Sequence, residues 1–225
     1  MRHSRANIIK MKKIIILLFV ITSGYCQTSK NVKYPTVELG VSEWMVENLK
    51  VIKFNNGDPI KFAKTDAEWK KASDNKTPAY CYSDSKCSGC EKEILYNYYV
   101  LIDKRGILPT GFDFPKDSDF LALDQEFTLN PEKVKLFNFK TSGGRHYKKG
   151  YFAESEMFWF MDSNYLEFLE MEMGLSYGIT NGDFNNKCPN NFPLTCEGKW
   201  NNFGTYYSIG GSNAGDGMSI RLVKK

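Results

Sequence analysis

Histidine is scarce in this chain of 225 residues, which contains only His3, near the N-terminus, and His146, within "SGGRHY". A lone histidine beside glycine and arginine is typical of a turn or a surface site. No serine or cysteine nucleophile stands out as its partner, so the shortage disfavours catalysis by a histidine general base. We therefore expect a protein without enzymatic activity and without catalytic residues.

Paired carboxylates of the kind that glycosidases use offer little more. The candidate pairs are Asp117 with Asp119 and Glu170 with Glu172. On a strand or at a helix start, such acids serve more simply as solvated side chains or as caps. An extracellular enzyme that acts on glycans or thiols is therefore the alternative hypothesis and not the leading one.

Long apolar runs are missing too. The run "IIILLFVI", Ile14 to Ile21, is far shorter than the roughly 20 residues that a transmembrane helix needs. Basic residues precede it and the small and polar "TSGYCQ" follows it, which is the layout of a secretory signal peptide. We predict a signal peptide over residues 1–26, beginning at either Met1 or Met11, and no membrane span after its cleavage.

The predicted signal peptide implies export of the remaining chain. A short polar linker over residues 27–34 leads to one domain over residues 35–225, which is long enough to bury one sizeable core. A lipid anchor on Cys26 is the alternative to soluble secretion, but Tyr25 is bulky where lipoprotein processing needs a small residue. We expect a secreted or cell-surface protein.

Net charge is small once the predicted signal peptide is set aside. The first 26 residues hold five of the 30 basic residues and no acid, which leaves 25 bases against 26 acids. Proteins that bind nucleic acid carry basic patches that neutralise phosphates. The balance of charge therefore disfavours a nucleic-acid partner.

Cysteines are few, and an exported chain can oxidise them. After Cys26 five remain, an odd number, so at least one lies outside any intramolecular disulfide. Cys188 and Cys196 bracket the loop "CPNNFPLTC", and closing it with a disulfide would contribute roughly 2–3 kcal/mol. Cys87 and Cys90 form a Cys-x-x-Cys, which suits a disulfide, a redox pair or, together with the other two, a zinc site. Export favours disulfides, and we predict no metal site.

Local patterns in the first half predict a hairpin, two helices and a strand. "TVELG" and "EWMVENL" flank the turn "GVSE" and indicate a β-hairpin, and "AYCY" indicates a strand. Thr65 and Glu68 form the pattern of a capping box, which predicts a short helix carrying Trp69. A helix that ends at Gly106 is predicted by the helical spacing of Ile94, Leu95, Tyr98, Tyr99 and Ile102.

A further helix is predicted to begin at Asp117 or Ser118, with Phe120, Leu123 and Phe127 facing inward. Four later segments are predicted to be strands: "KVKLFNF", "MFWFM", "YLEFLEMEM" and "MSIRLV". The stretch "NGDFNNKCPNNFPLTCEGKWNNFG" is rich in Asn, Gly and Pro and predicts a long surface loop. The pattern predicts an α+β fold with two helices packed on an irregular antiparallel sheet and a loop-rich C-terminal half.

Several blocks, taken in order, resemble a known family. They are "VSEWMVENLKVIKFNNGDPI", "DAEWKKA", "TPAYCY", "ILYNYYV", "GILPTGFDFPKDSDFLAL" and "GMSIRLVKK". Through them the chain resembles the Fibrobacter succinogenes major paralogous domain over residues 37–225. The resemblance implies a C-type lectin-like fold and a secreted or surface protein of the kind typical of Fibrobacter, Bacteroidetes and their relatives. It implies no particular activity.

The chain departs from the family pattern in three places. Gly111 to Pro115 reads Gly-Phe-Asp-Phe-Pro where the family usually has Gly-Trp-His-Val-Pro, so the family histidine is absent. Leu222 stands where family members often have a cysteine. The loop with Cys188 and Cys196 looks like an insertion, so the resemblance implies nothing about its role.

Within that loop, "CEGKWNN" is similar to the "WND" element of calcium-dependent lectins. Calcium takes about 6–8 oxygen ligands, but Asn202 occupies the acid position and no Glu or Gln precedes Pro189. We therefore expect no cofactor, with calcium as an open alternative. An exposed indole suits the C–H groups of a sugar, and the candidate ligand-binding residues are Trp200, Asn201 and Asn202.

These observations favour a non-enzymatic, exported domain that binds a polysaccharide or a surface protein through its loops. A purely structural surface protein is a further alternative. Trp44, Trp69 and Trp159 are expected in the core instead of a site.

Overall fold

The computed structural model describes residues 33–83, 92–138, 140, 142–148, 150–152, 155–161, 173–181, 198–200 and 205–225. These residues form fourteen β-strands, three α-helices and one 3-10 helix. The α+β class, with a few helices and mainly antiparallel sheets, is therefore confirmed. Within the described part of the chain, no helix is both long enough and apolar enough to cross a membrane.

The predicted N-terminal hairpin is confirmed. Strand β1 (Thr36–Leu39) pairs antiparallel with β2 (Ser42–Met45). Trp44 on β2 is fully buried, and its ring lies 5.1 Å from that of Phe120 and 5.4 Å from that of Phe137 between centroids. The stretch "EWMVENL" thus places one large core side chain on a strand that ends at Met45.

The predicted capping box is confirmed at the start of helix α1 (Asp66–Asp74). Thr65 Oγ1 accepts the Glu68 N–H at 3.2 Å, and a Glu68 carboxylate oxygen accepts the Thr65 N–H at 3.0 Å. Two backbone donors at the helix start are therefore satisfied by side chains. The helix buries Trp69 and Ala72, as the predicted core role of Trp69 requires.

A three-stranded sheet lies beside α1. Its strands are β3 (Lys61–Phe62), β4 (Ala79–Tyr82) and β5 (Ile94–Tyr96), in the order β3-β4-β5. β3 runs parallel to β4, and β5 runs antiparallel to it. The predicted strand "AYCY" is therefore confirmed as β4.

The helix predicted from Ile94 to Gly106 is wrong over most of its length. Its first residues form strand β5, and only a short helix follows, α2 (Tyr98–Leu101). The side chain of Asn97 separates the two, because its Oδ1 accepts the Ala79 N–H at 3.0 Å and its Nδ2 donates to the Thr77 carbonyl at 2.8 Å. Both faces of β5 are buried, so its apolar run lacks the alternation that would have indicated a strand.

Helix α3 (Asp117–Leu129) is confirmed, with Phe120, Leu123 and Phe127 buried. The strand predicted next, "KVKLFNF", is wrong, because the chain forms a 3-10 helix over Pro131–Phe137. Proline suits the first turn of a helix. Lys133 Nζ also lies 2.5 Å from Glu126 Oε1, which ties the 3-10 helix to α3.

Nine further strands complete the described chain: β6 (Phe112–Asp113), β7 (Gly144–His146), β8 (Gly150–Phe152), β9 (Ser155–Phe160), β10 (Met173–Asn181), β11 (Gly198–Trp200), β12 (Thr205–Asn213), β13 (Ser219–Ile220) and β14 (Val223–Lys224). They build a four-stranded sheet β1-β2-β14-β6, a five-stranded sheet β11-β12-β10-β9-β13 and the β7-β8 hairpin. Apart from β3 with β4, β13 with β9 is the parallel pair among the described strands.

The C-terminal half differs from the loop-rich half predicted. β10 and β12 have nine residues each, and β11 forms within the stretch predicted as one long loop. "MFWFM" lies on β9 as predicted, whereas "YLEFLEMEM" lies outside the described residues except for Met173. "MSIRLV" is split between β13 and β14, because the two short strands join different sheets.

One hydrophobic core joins the two halves of the chain. It contains Met45 and Tyr96 together with Trp159, Ile220 and Leu222. Trp159 is fully buried, and its Nε1 donates to the Tyr96 carbonyl at 2.6 Å. The predicted core role of Trp44, Trp69 and Trp159 is therefore confirmed.

Candidate functional site

One of the predicted ligand-binding residues lies in the described structure. Trp200 ends β11, the edge strand of the five-stranded sheet, and pairs with Tyr206. Outside the described residues lie Asn201, Asn202 and the disulfide candidates Cys87, Cys90, Cys188 and Cys196. The ligand-binding and disulfide assignments therefore stay predictions.

Among the described residues, no group of three or more His, Cys, Asp and Glu side chains could hold a metal ion. His146 ends β7, its ring stacks on that of Tyr147, and its Nδ1 accepts the Lys148 N–H at 3.0 Å. Asp119 caps α3 by accepting the Lys116 N–H at 2.7 Å. These two residues hold a turn and a helix start, which are the roles that the sequence favoured for them.

Three aromatic side chains gather on one face of the β3-β4-β5 sheet. Phe62 lies opposite Tyr80 in the parallel β3–β4 pair, and Tyr82 follows Tyr80 by two residues, so the three share a face. The ring centroids lie 5.2 Å apart for Phe62 and Tyr80, 5.5 Å for Phe62 and Tyr82, and 6.0 Å for Tyr80 and Tyr82. We call these three residues the aromatic cluster.

The aromatic cluster reaches solvent through two of its rings. Phe62 is 43% exposed and Tyr82 is 40% exposed, while Tyr80 is only 7% exposed. Burying a side chain the size of phenylalanine is worth about 1.5–3 kcal/mol. The two neighbouring rings therefore form an apolar patch that is partly exposed to solvent.

Packing on both faces holds the sheet beneath the aromatic cluster in place. On one face, Ala79, Cys81 and Leu95 pack with Trp69 and Ala72 of α1. On the other face, the inner edge of the aromatic cluster continues into the main core through Tyr80, Ile94 and Tyr96. The exposed rings therefore stand on a rigid support.

The hydroxyl of Tyr96 fastens this support to the preceding segment of the chain. Its oxygen accepts the Val51 N–H at 2.8 Å and lies within hydrogen-bond distance of the Val51 and Leu49 carbonyls, at 2.8 Å and 3.1 Å. Burial raises the pKa of Tyr96 well above its ordinary value, so the hydroxyl keeps its proton and remains able to donate.

A polar group follows Tyr82 in the chain. The Ser83 N–H donates to the Glu93 carbonyl at 2.8 Å, and the Glu93 N–H donates to Ser83 Oγ at 3.0 Å. Lys50 Nζ lies 3.3 Å from Glu93 Oε1, and the Lys50 side chain is partly exposed. The hydrogen bonds between Ser83 and Glu93 continue the pairing of β4 with β5 by one residue pair beyond Tyr82 and Ile94.

A second polar group lies where the β7-β8 hairpin meets the turn after β12. Asp216 is buried, and its Oδ1 accepts the Tyr147 N–H at 2.8 Å. Burial raises the pKa of Asp216 to about 7, although backbone hydrogen bonds from Tyr147 and Asn213 oppose the shift. Next to it, Arg145 stacks over Trp69 at 5.2 Å and pairs with Asp66. These contacts fasten the hairpin to the turn and to α1.

The family model of the Fibrobacter succinogenes major domain matches residues 37–136. The resemblance predicted from the sequence blocks is therefore confirmed over residues 37–136. The matched part of the major domain runs from β1 into the 3-10 helix and includes the whole aromatic cluster. Extension of the domain to residue 225 stays a prediction. A search of curated proteins and a search of solved structures each returned no match.

The aromatic cluster of the major domain is not predicted from the sequence, although part of its signal is present there. The strand "AYCY" alternates, which places Tyr80 and Tyr82 on one face. The position of Phe62 beside them depends on the parallel pairing of β3 with β4, across a connection that contains α1. No local pattern specifies that pairing.

Proposed function

We propose that the major domain is an exported, non-enzymatic binding domain that holds a polysaccharide on its aromatic cluster. The observation that carries this proposal is the pair of exposed rings, Phe62 and Tyr82, on a sheet that is packed on both faces. An aromatic face offers a sugar an apolar surface for its C–H groups. A rigid surface also loses little conformational entropy when the ligand binds.

Export and a C-type lectin-like fold form part of the same proposal. The proposal of export is supported by the first 26 residues, in which a basic segment is followed by an apolar run and then by a small and polar segment. The lectin-like fold rests on the family resemblance and is compatible with the α+β arrangement of helices and short sheets. Export would place a sugar-binding surface outside the cell, where polysaccharides are found.

A glycan array probed with the mature chain, with and without calcium, tests this function. We expect binding to a subset of glycans that does not depend on calcium. In Phe62→Ala and Tyr82→Ala, each loss of a stacking contact should weaken binding about tenfold. Absence of binding to every glycan, with or without calcium, would contradict the proposal.

Three further variants test whether binding on the array comes from the aromatic cluster. Phe62→Leu keeps an apolar side chain but removes the ring, so it should bind as poorly as Phe62→Ala. Leu129→Ala changes a side chain on α3 that is 77% exposed and should bind like the wild type. Trp200→Ala tests the site predicted from the sequence, and loss of binding in this variant alone would move the site from the aromatic cluster to β11.

A further inference from the structure

The two exposed rings of the aromatic cluster are not coplanar. The planes of Phe62 and Tyr82 meet at 66°, with their centroids 5.5 Å apart. Tyr80 lies nearly parallel to Phe62, at 26°, but it is almost completely buried and serves as a backing for that ring. The surface offered to a ligand is therefore a corner made by two rings.

The backbone holds the two strands that carry this corner side by side. The Ala63 N–H donates to the Tyr80 carbonyl at 2.9 Å, which fixes the end of the edge strand β3 to the central strand β4. Tyr82 sits on β4 opposite Ile94, which is buried in the main core. The ring planes are set by packing on the buried Tyr80, because Phe62 stacks on it at 26° and Tyr82 meets it edge-on at 88°.

A corner and a flat strip of rings select different carbohydrates. An extended, flat polysaccharide presents successive sugar rings in one plane, and stacking on it requires aromatic rings that share a plane. Two rings that meet at 66° cannot both stack on such a chain. They can hold one sugar unit, with its C–H face on one aromatic ring and its edge against the other.

Resting on the proposed function, we propose that the aromatic cluster binds a single sugar unit at a chain end or a branch, and not the face of a flat polysaccharide. The remaining units of the ligand extend into solvent and add little to its affinity.

Titration calorimetry with a length series tests this inference. The probes are the cello-, xylo- and manno-oligosaccharides from the monosaccharide to the hexasaccharide, together with any array ligand, and insoluble cellulose serves as the flat probe. We expect the affinity for a bound series to change less than about threefold between the shortest and the longest member. We also expect no retention of the protein on cellulose.

The outcomes separate this inference from the proposed function. Two results would overturn the single-unit site: an affinity that rises by more than about tenfold with oligosaccharide length, or retention of the protein on cellulose. Either result counts only if the Phe62→Ala variant loses it, because the binding must come from the aromatic cluster. The proposed function would then survive. Absence of binding by every probe and every array glycan would overturn both. Circular dichroism of Phe62→Ala and Phe62→Leu confirms that a loss of binding is not a loss of fold.

Discussion

At the scale of single residues, two glycines of the major domain share a backbone conformation but differ in their surroundings. Gly40 has φ +63° and Gly57 has φ +94°, a region that L side chains rarely adopt. A Cβ on Gly40 would lie 2.8 Å from the backbone carbonyl group of Ala122, whereas nothing lies within 4 Å of one on Gly57. The two sites therefore separate backbone strain from close packing.

Gly40→Ala should lower the free energy of unfolding by about 2–4 kcal/mol, because strain and a clash with α3 add. Gly57→Ala, the matched control, should cost only about 1 kcal/mol, from strain alone. Urea unfolding followed by tryptophan fluorescence measures both. Equal costs would mean that the β1-β2 turn does not pack on α3 as described.

Asp216 introduces a pH dependence into stability. Its pKa is raised by burial from the ordinary value of 3.8 to about 7, so the folded state binds this proton more tightly than the unfolded state does. The contribution of Asp216 to the free energy of unfolding is therefore fully present below the pKa that its carboxyl has in the unfolded chain. That contribution is lost as the pH rises through the pKa that the carboxyl has in the folded protein. The ionised carboxylate makes the folded protein less stable at neutral pH than it is in mild acid.

Asp216→Asn should remove this pH dependence, because the amide oxygen can still accept the Tyr147 N–H and carries no charge. Between about pH 5 and pH 8 the wild type should lose on the order of 2–4 kcal/mol that the variant keeps. Urea unfolding at a series of pH values measures the difference. Asp74→Asn, at the exposed end of α1, is the control and should retain the wild-type slope. A variant slope equal to that of the wild type would show that Asp216 ionises as freely in the folded state as in the unfolded one.

At the scale of elements, α1 depends on a cap that acts as a unit. Thr65→Ala should destabilise the domain by about 1 kcal/mol, because the Glu68 N–H loses its acceptor at the helix start. Glu68→Ala should cost less in the Thr65→Ala background than alone, since the two side chains form one reciprocal box. A double-mutant cycle in urea measures the coupling, and strictly additive costs would contradict a shared capping box.

Local signals explain which elements the sequence could predict. The capping box of α1 and the inward spacing of Phe120, Leu123 and Phe127 on α3 are contained in a few neighbouring residues. Strand β5 could not be predicted, because burial on both faces hides the alternation of a strand and because residues 83–93 separate it from its partner β4. The 3-10 helix could not be predicted for a different reason, because Phe137 is its only buried residue and no repeating apolar pattern marks it.

The candidate site shows the same limit. Tyr80 and Tyr82 share a face by alternation, which the sequence contains. Their exposure and the arrival of Phe62 follow from the parallel β3–β4 pairing, which is a property of the whole fold. The exposed aromatic surface could therefore be recognised only after the strands had been placed.

At the scale of the whole molecule, the segment that matches the family model depends on strands that come later in the chain. β14 lies between β2 and β6 and joins them into one sheet. Arg221, which precedes it, is fully buried, and its Nε donates to Asn48 Oδ1 at 2.9 Å. Trp159 and Ile220 fill the core beside Tyr96.

Residues 37–136 alone should therefore fail to fold cooperatively, whereas residues 27–225 should unfold in a single transition. The shorter fragment lacks β14 and the core side chains that the C-terminal half supplies, and it would expose their contact surfaces to water. Near-ultraviolet circular dichroism and urea unfolding measure both fragments. A cooperative transition in the shorter fragment would contradict the single shared core.

The most direct test of the central claim is a two-dimensional NMR titration of residues 27–225 with the glycan that binds most strongly on the array. If the aromatic cluster is the binding surface, the ring resonances of Phe62 and Tyr82 shift, while those of the buried Phe120 and Phe158 stay in place. Ring resonances of Phe62 and Tyr82 that remain unchanged at saturating glycan would contradict the account.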